Sequence, residues 1–465
     1  MNMINVRRLT VMTFLGAGML SGISAQVSPL QVDTLKETKI PDQWDLQSCI
    51  DYAKEQNITI RKNRITAVST QIDVKTAKAA LFPSLSFSTG HQVVNRPYQE
   101  TSSRVSGSEI ISSNSKTSYN GNYGLNASWT LYNGNKRLKT IQQEKLNNQM
   151  AELDVATSEN NIQESIAQVY IQILYAAESV KVNENTLQVS IAQRDRGQEL
   201  LNAGSIAKSD LAQLEAQVST DRYQLVTAQA TLEDYKLQLK QLLELDGENE
   251  MNIYLPALSD ENVLAPLPTK RDVYISALSL RPEIEASKLN VEASELGINI
   301  AKSSYFPTIS LSAGIGTNHT SGSDFTFGEQ VKNGWNNSIG LSVSVPIFNN
   351  RQTKSAVQKA KLQYETSMLS LLDEQKALYK TIESLWLDAN SAQQRYAAAN
   401  EKLKSTQISY ELISEQFNLG MKNTVELLTE KNNLLQAQQE QLQAKYMAIL
   451  NTQLLKFYQG DKLAL

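Results

Sequence analysis

The chain has 465 residues, a formal net charge of −4, two histidines and a single cysteine. So mild a charge leaves no basic footprint for nucleic acid, and one cysteine forms no internal disulfide. The length exceeds that of a usual single domain, yet long uninterrupted helical patterns point to one elongated architecture instead of a row of globules.

In chain order, residues 1–25 read as a secretory signal: Arg7 and Arg8, an apolar stretch from Leu9 to about Leu20, then small residues ending at Ser24-Ala25. No cysteine borders that cleavage site, which argues against a lipid anchor. No later run reaches the roughly 18 apolar residues of a membrane-spanning helix. Residues 26–41 form a polar extended tail.

A first repeat is expected over 42–246. It opens with a helix from Trp44 to Leu81, with Asp45 as N-cap and Cys49 packed beneath it. Phe82-Pro83 ends that helix, because proline breaks it and disfavours α geometry at the residue before. A strand over about 82–95 follows, then a mobile Ser/Thr/Asn-rich loop from Asn95 to Ser118, then a strand over about 119–132. The turn Tyr132-Asn133-Gly134-Asn135 starts a helix from Lys136 to Asn202, about 100 Å long. Asn202-Ala203-Gly204 stops it, and a helix returns from Ser205 to Leu245.

Residues 247–268 are a proline-containing link, and a second repeat spans 269–460. It repeats the order: a helix from Asp272 to Tyr305, a strand over about 306–317, a polar loop from Asn318 to Asn333 and a strand over about 335–348. A helix of about 100 Å then runs from Arg351 to Asn418, turns at Leu419-Gly420 and returns from Met421 to Tyr458. Two shorter helices stacked end to end match one long helix, so the chain can build a uniform hollow cylinder.

The repeat is literal at the strands. Phe82-Pro83-Ser84-Leu85-Ser86-Phe87-Ser88-Thr89-Gly90 returns as Phe306-Pro307-Thr308-Ile309-Ser310-Leu311-Ser312-Ala313-Gly314. Leu85, Phe87 and Thr89 oppose Ser84, Ser86 and Ser88; Ile339, Leu341, Val343, Val345 and Ile347 oppose Gly340, Ser342, Ser344 and Pro346. An antiparallel sheet packed on a core alternates in this way. A lipid-facing barrel with a wet lumen does so too, and it better suits an uncharged polar face beside helices too long for a compact domain. Four strands cannot close a barrel, and open edges cannot stand in lipid. Several copies must therefore share it.

The signal, the two helix-strand-strand-helix halves, the aromatic-Pro pairs, Val345-Pro346-Ile347-Phe348-Asn349 and Phe417-Asn418-Leu419-Gly420 together resemble the TolC-type outer membrane factors. The resemblance implies an α+β membrane protein with a two-fold internal repeat. Its long antiparallel α-helical barrel would continue four β-strands per chain, which join a shared, trimeric, twelve-stranded transmembrane barrel. It also implies a bacterial outer membrane location extending into the periplasm. The role would be the exit duct of a tripartite efflux pump or type I secretion system, with a periplasmic adaptor, an inner membrane transporter and outer membrane lipid as partners, and no cofactor.

In that family two helix-turn-helix tips close the periplasmic end. By resemblance Glu426 is the acidic gate residue, with Asp210 at the matching place in the first half. Glu430 would add a second acidic ring, although it stands one residue off the family's spacing. Lys422 matches a basic residue that latches neighbouring tips, with Asp210 as its partner, and Phe417 replaces a tyrosine of that latch. The adaptor would dock around Gly204 and Gly420, while Pro83 and Pro307 mark the passage from helix to strand. Asp210 and Glu426 also read simply as acids favoured at helix N-termini.

No enzyme is expected: His91 and His319 read as surface histidines at loop starts, and no nucleophile, phosphate loop or metal spacing occurs. The rival reading is a structural envelope stalk or adhesin trimer anchored by a small barrel. A duct needs a gated tip, whereas a stalk needs only a packed end.

Overall fold

Fifteen elements follow from the helical and period-two patterns in a computed structural model describing residues 41–98, 102–106, 109–113, 116–246, 251–256, 263–321, 323 and 325–464. The expected signal, nearly all of the tail, and residues 247–250 and 257–262 of the link lie outside these. Among the described residues no helix is long and apolar enough to cross a membrane.

The first helical segment is two helices, not one. α1 (Leu46–Gln56) starts on Asp45, which accepts from the Ser48 amide, and α2 (Ile58–Ala79) follows after a break at Asn57. Asn57 leaves helical geometry with φ −60° and ψ 127°, and its side chain accepts from the Thr59 and Ile60 amides. It therefore caps α2. The second half breaks likewise between α5 (Lys270–Leu280) and α6 (Pro282–Ser303). Pro282 removes a donor and forces Arg281 into extended geometry, at φ −75° and ψ 123°.

The long helices are α3 (Lys136–Asn202) and α8 (Gln352–Asn418), 67 residues each and thus about 100 Å long. Each turns back, into α4 (Lys208–Leu242) and α9 (Thr424–Gln459). The returning helices end at the break of each pair. Asn57 Nδ2 donates to the Leu242 carbonyl at the end of α4. The Arg281 guanidinium lies 4.2 Å from the Tyr458 ring at the end of α9 and pairs with Glu164 and Glu283.

Two apolar clusters hold the helices. One joins Trp44, Cys49, Ile166, Tyr170, Leu239, Tyr396 and Leu450, and the other joins Val273, Ile284, Ile382 and Leu455. Trp44 also makes a parallel bridge with Ile253 of the link.

The main sheet is antiparallel, in the order β1 (Ser84–Asn95), β4 (Thr117–Asn133), β5 (Thr308–Thr320), β6 (Asn336–Ser344). Each half supplies one hairpin, and β4 against β5 joins the halves. Three expectations are corrected here. β6 stops at Ser344, short of Val345 and Ile347, because Pro346 cannot donate to a ladder. The segment read as a mobile loop between Asn95 and Ser118 carries a second ladder, β2 (Ser102–Ser106) with β3 (Glu109–Ser113), since the β-branched Val105, Ile110 and Ile111 among its serines favour a strand. The second polar loop contains α7 (Phe327–Asn333), started by a reciprocal Thr326–Glu329 cap.

Candidate functional site

Register sorts the sheet into two unlike faces. On one, Leu85, Ala127, Ala313 and Ile339 form a row across the four strands, and Trp129, Leu311 and Leu341 form another. On the other the rows are Ser84-Ser128-Ser312-Gly340, Ser86-Asn126-Gly314-Ser338 and Ser88-Gly124-Gly316-Asn336. No charged side chain stands in these polar rows. The apolar face is not packed on a core: Leu85 is 69% exposed, Phe87 68% and Ile339 83%. Each such side chain left in water forfeits about 1.5–3 kcal/mol, so this face is built to be covered.

Aromatic groups stand at both ends of the apolar face. Near the helices the Trp129 indole donates to the Leu81 carbonyl at 2.7 Å, and Arg137 bonds the Thr130 and Ala80 carbonyls. Pro83 and Pro307 sit in these junctions, directly before β1 and β5. A Cβ at Gly134 would lie 2.6 Å from the Ser303 carbonyl oxygen, so the turn into α3 presses on the junction of the other half.

At the far end the histidines differ from expectation. Neither begins a loop, because β1 and β5 run past them. His91 and His319 both oppose Gly121 across β4. The Tyr119 ring lies 5.8 Å from each, its hydroxyl 2.6 Å from His91 Nδ1, and Phe327 lies 5.0 Å from His319. The signal was in the sequence: Tyr119, Gly121 and Tyr123 alternate on the strand that both histidines face.

The two tips share one design. Gly204 and Gly420 each take φ +73° with open space around them, the left-handed position glycine fills without strain. The Ser205 amide donates to Leu200 and the Gly204 amide to Leu201; Met421 and Gly420 repeat this with Gln416 and Phe417. Both are paired C-terminal caps.

Asp210 and Glu426 then fall at equivalent places in the following helices. Asp210 accepts from the Ala207 amide at 3.0 Å. Glu426 accepts from the Asn423 amide at 3.2 Å, while Asn423 Oδ1 accepts from the Glu426 amide at 2.9 Å. Lys422 donates to Glu426 at 2.6 Å and is not paired with Asp210 within the chain. The Lys422 ammonium, then the Asn423 amide, holds the Glu426 carboxyl below its ordinary value.

Glu430, one turn on, accepts from the Ser409 hydroxyl of α8 at 3.0 Å. Phe417 is buried at the turn, as are Thr424 and Leu427. Among the described residues no group of three or more histidines, cysteines or carboxylates could hold a metal ion.

One group was not foreseen. Lys431 of α9 is buried and donates to Asp221 of α4 and Ser190 of α3, both buried as well. Burial pulls the Lys431 ammonium below its ordinary value, and Asp221 opposes that.

A family model described as outer membrane efflux protein matches residues 49–244 and 273–460. The outer membrane efflux protein BepC of Brucella suis biovar 1 is 24% identical over 294 residues, covering 63% of this chain and 61% of that protein. The outer membrane protein TolC of Escherichia coli K12 is 24% identical over 294 residues, covering 61% of this chain and 58% of that protein. The chain thus spans less than two thirds of the length of these two relatives. The solved structure of CusC superposes with a TM-score of 0.75 at 19% identity, covering 90% of this chain and 92% of that one, a likeness of fold.

Proposed function

The chain belongs to the outer membrane efflux protein family, and from that membership we propose that it is the outer membrane duct of a tripartite efflux pump or a type I secretion system. It carries small molecules or proteins outward from a periplasmic adaptor and an inner membrane transporter. It has no catalytic role.

The observation that carries this reading is the two-faced sheet. Its apolar face is uncovered and its polar face is uncharged, small and hydrophilic. β1 and β6 are edge strands, and an unpaired edge in lipid costs several kcal/mol per backbone group. Copies of the sheet joined edge to edge remove that cost. Three copies make a twelve-stranded barrel with lipid outside and water within. Tyr123 and Trp129 stand on one face about 20 Å apart along β4, close to the spacing of aromatic girdles around a membrane barrel. α3 and α8 then carry the lumen about 100 Å into the periplasm.

The tips close the periplasmic end in this reading. Three copies of Glu426 form a carboxylate ring that favours cations, with Asp210 beside it and Glu430 a turn further in. Lys422 adjusts the charge of the ring and latches neighbouring tips, Phe417 packs the turn, and the adaptor docks at Gly204 and Gly420. Support comes from the matched place of Asp210 and Glu426 after equivalent glycine turns.

Single-channel conductance of the detergent-extracted protein in a planar bilayer, with its mass measured alongside, tests the reading. A trimer with small, cation-preferring conductance is expected. A trimer that never conducts, even with Glu426 and Lys422 replaced, overturns the duct in favour of an envelope stalk.

A further inference from the structure

The α3/α4 hairpin and the α8/α9 hairpin meet chiefly through α9 against α3, and polar contacts between them towards the tips are concentrated at one level. Gln193 Nε2 donates to the Tyr410 hydroxyl at 2.8 Å, and Gln217 Nε2 lies 3.3 Å from Asn432 Oδ1. Between these stands Lys431, bonded to Asp221 and Ser190. Among the described residues no polar contact joins the two hairpins nearer the tips than this level. Contacts there stay within one hairpin: Arg196 with Glu199, Ala207 with Asp210, Ser409 with Glu430 and Lys422 with Glu426.

The level is also where a charge is hardest to disturb. The Lys431 side chain is 3% exposed and that of Asp221 is 1% exposed. Both Asp221 oxygens are occupied, Oδ2 by Lys431 and Ser190 and Oδ1 by Gln217 at 2.8 Å. A buried pair with its lone pairs satisfied is tolerable, whereas either partner alone is a buried charge without compensation. Separating the hairpins here would make two such charges at once. Separating them nearer the tips breaks no polar contact between the hairpins.

We infer that Lys431, Asp221 and Ser190 form the fulcrum of the tips, the last fixed point between the two hairpins, about which the tip segments 194–216 and 411–430 bend when the end opens. The ion pair stays made in both states. α9 is thus divided: Glu426 and Glu430 ride on the moving part, while everything beyond Lys431 belongs to the fixed wall. This rests on the duct reading only for what the bending does, not for where it occurs.

Amide hydrogen exchange on the full extracted assembly locates the boundary without requiring conduction. Exchange is expected to be about tenfold or more faster on the tip side of Lys431 and Ser190 than on the far side. A smooth gradient with no step at this level overturns the fulcrum. A step in an assembly that never conducts leaves the fulcrum standing and removes the duct reading.

Variants test the charge itself. Lys431→Met leaves Asp221 uncompensated, so exchange beyond the boundary and basal conductance should both rise severalfold. Adding Asp221→Leu, which removes the buried charge altogether, should return both to near the parent level. If Lys431→Met matches the parent, or if the double variant is as loose as the single, the ion pair is not the fixed point. If Lys431→Met yields no folded assembly, Ser190→Ala takes its place: a smaller rise supports the fulcrum, and parent-like exchange overturns it.

Discussion

Asn57 and Leu242 lie 185 positions apart and are joined by a hydrogen bond of 3.0 Å from the Asn57 amide to the last carbonyl of α4. The same side chain caps α2 through its oxygen. One residue thus ends one helix and begins another, and two segments of separate origin run on as a single rod beside α3. Arg281 holds the corresponding place in the other half, through the Tyr458 ring and Glu164.

Replacing Asn57 with alanine removes both functions. The expected loss is about 1–2 kcal/mol in denaturant titration, the range for a strong N-cap. Asn57→Asp keeps the acceptor and loses only the donor to Leu242, so it should fall between alanine and the parent. Equal effects for the two would show that the bond to Leu242 carries the whole contribution.

The two faces of the sheet predict opposite responses to a charge. Ile339→Lys puts an ammonium on the apolar face, at a cost of about 2–4 kcal/mol near a bilayer midplane, and should reduce the yield of folded assembly. Ser312→Lys puts the same group on the polar face, where the assembly should form normally and shift its ion preference towards anions. Normal assembly of Ile339→Lys would contradict the face assignment.

Gly420 sits at φ +73°, and a Cβ there meets nothing. Alanine therefore clashes with no neighbour and bears only the left-handed backbone penalty, about 1–2 kcal/mol. The effect should be local: faster proteolytic nicking at the tip with an unchanged unfolding midpoint for the body. Gly420→Asn should be milder, and a lowered body midpoint would show the turn coupled to the whole wall.

Acid should reach the tip late. The folded Glu426 carboxyl lies below its ordinary value of 4.5, first because of Lys422 and then because of the Asn423 amide. A depressed carboxyl contributes stability above its unfolded value, and that contribution is lost as pH falls through the folded one. The cap and any cation preference from Glu426 should persist down through pH 4.5 and disappear only below it. Lys422→Ala should move that loss upward, which a conductance titration from pH 7 to pH 3 reads directly.

Much of this architecture was legible because its signals are local. Gly134-Asn135 and Ala203-Gly204 bracket α3, and no proline interrupts the 67 residues between. The alternation of Leu85 and Phe87 with serines marks a strand that any two-faced environment would preserve. Asn57 gave less warning, since it breaks a helix by side-chain capping that leaves no Gly or Pro signature, while Pro282 was a clear stop that a helix read through to Tyr305 passed over. β2 and β3 are composed like a loop and are strands only because they pair with each other. Ser190, Asp221 and Lys431 lie 31 and 210 positions apart, and each reads as a solvated helix residue until three helices are brought together. The tip acids were found through a resemblance and not through periodicity, since an acid in a first helical turn is ordinary.

The polar rows through Ser84, Ser86 and Ser88 hold nothing longer than asparagine. In a closed ring of such sheets, the bore along these rows is set by the backbone circle and therefore by how many chains join, more than by which side chains line it. Changing a single serine there would roughen the wall without narrowing the opening by more than one side chain. In the proposed duct, control over what passes accordingly falls to the opposite end of the molecule, to the few side chains on the two glycine turns.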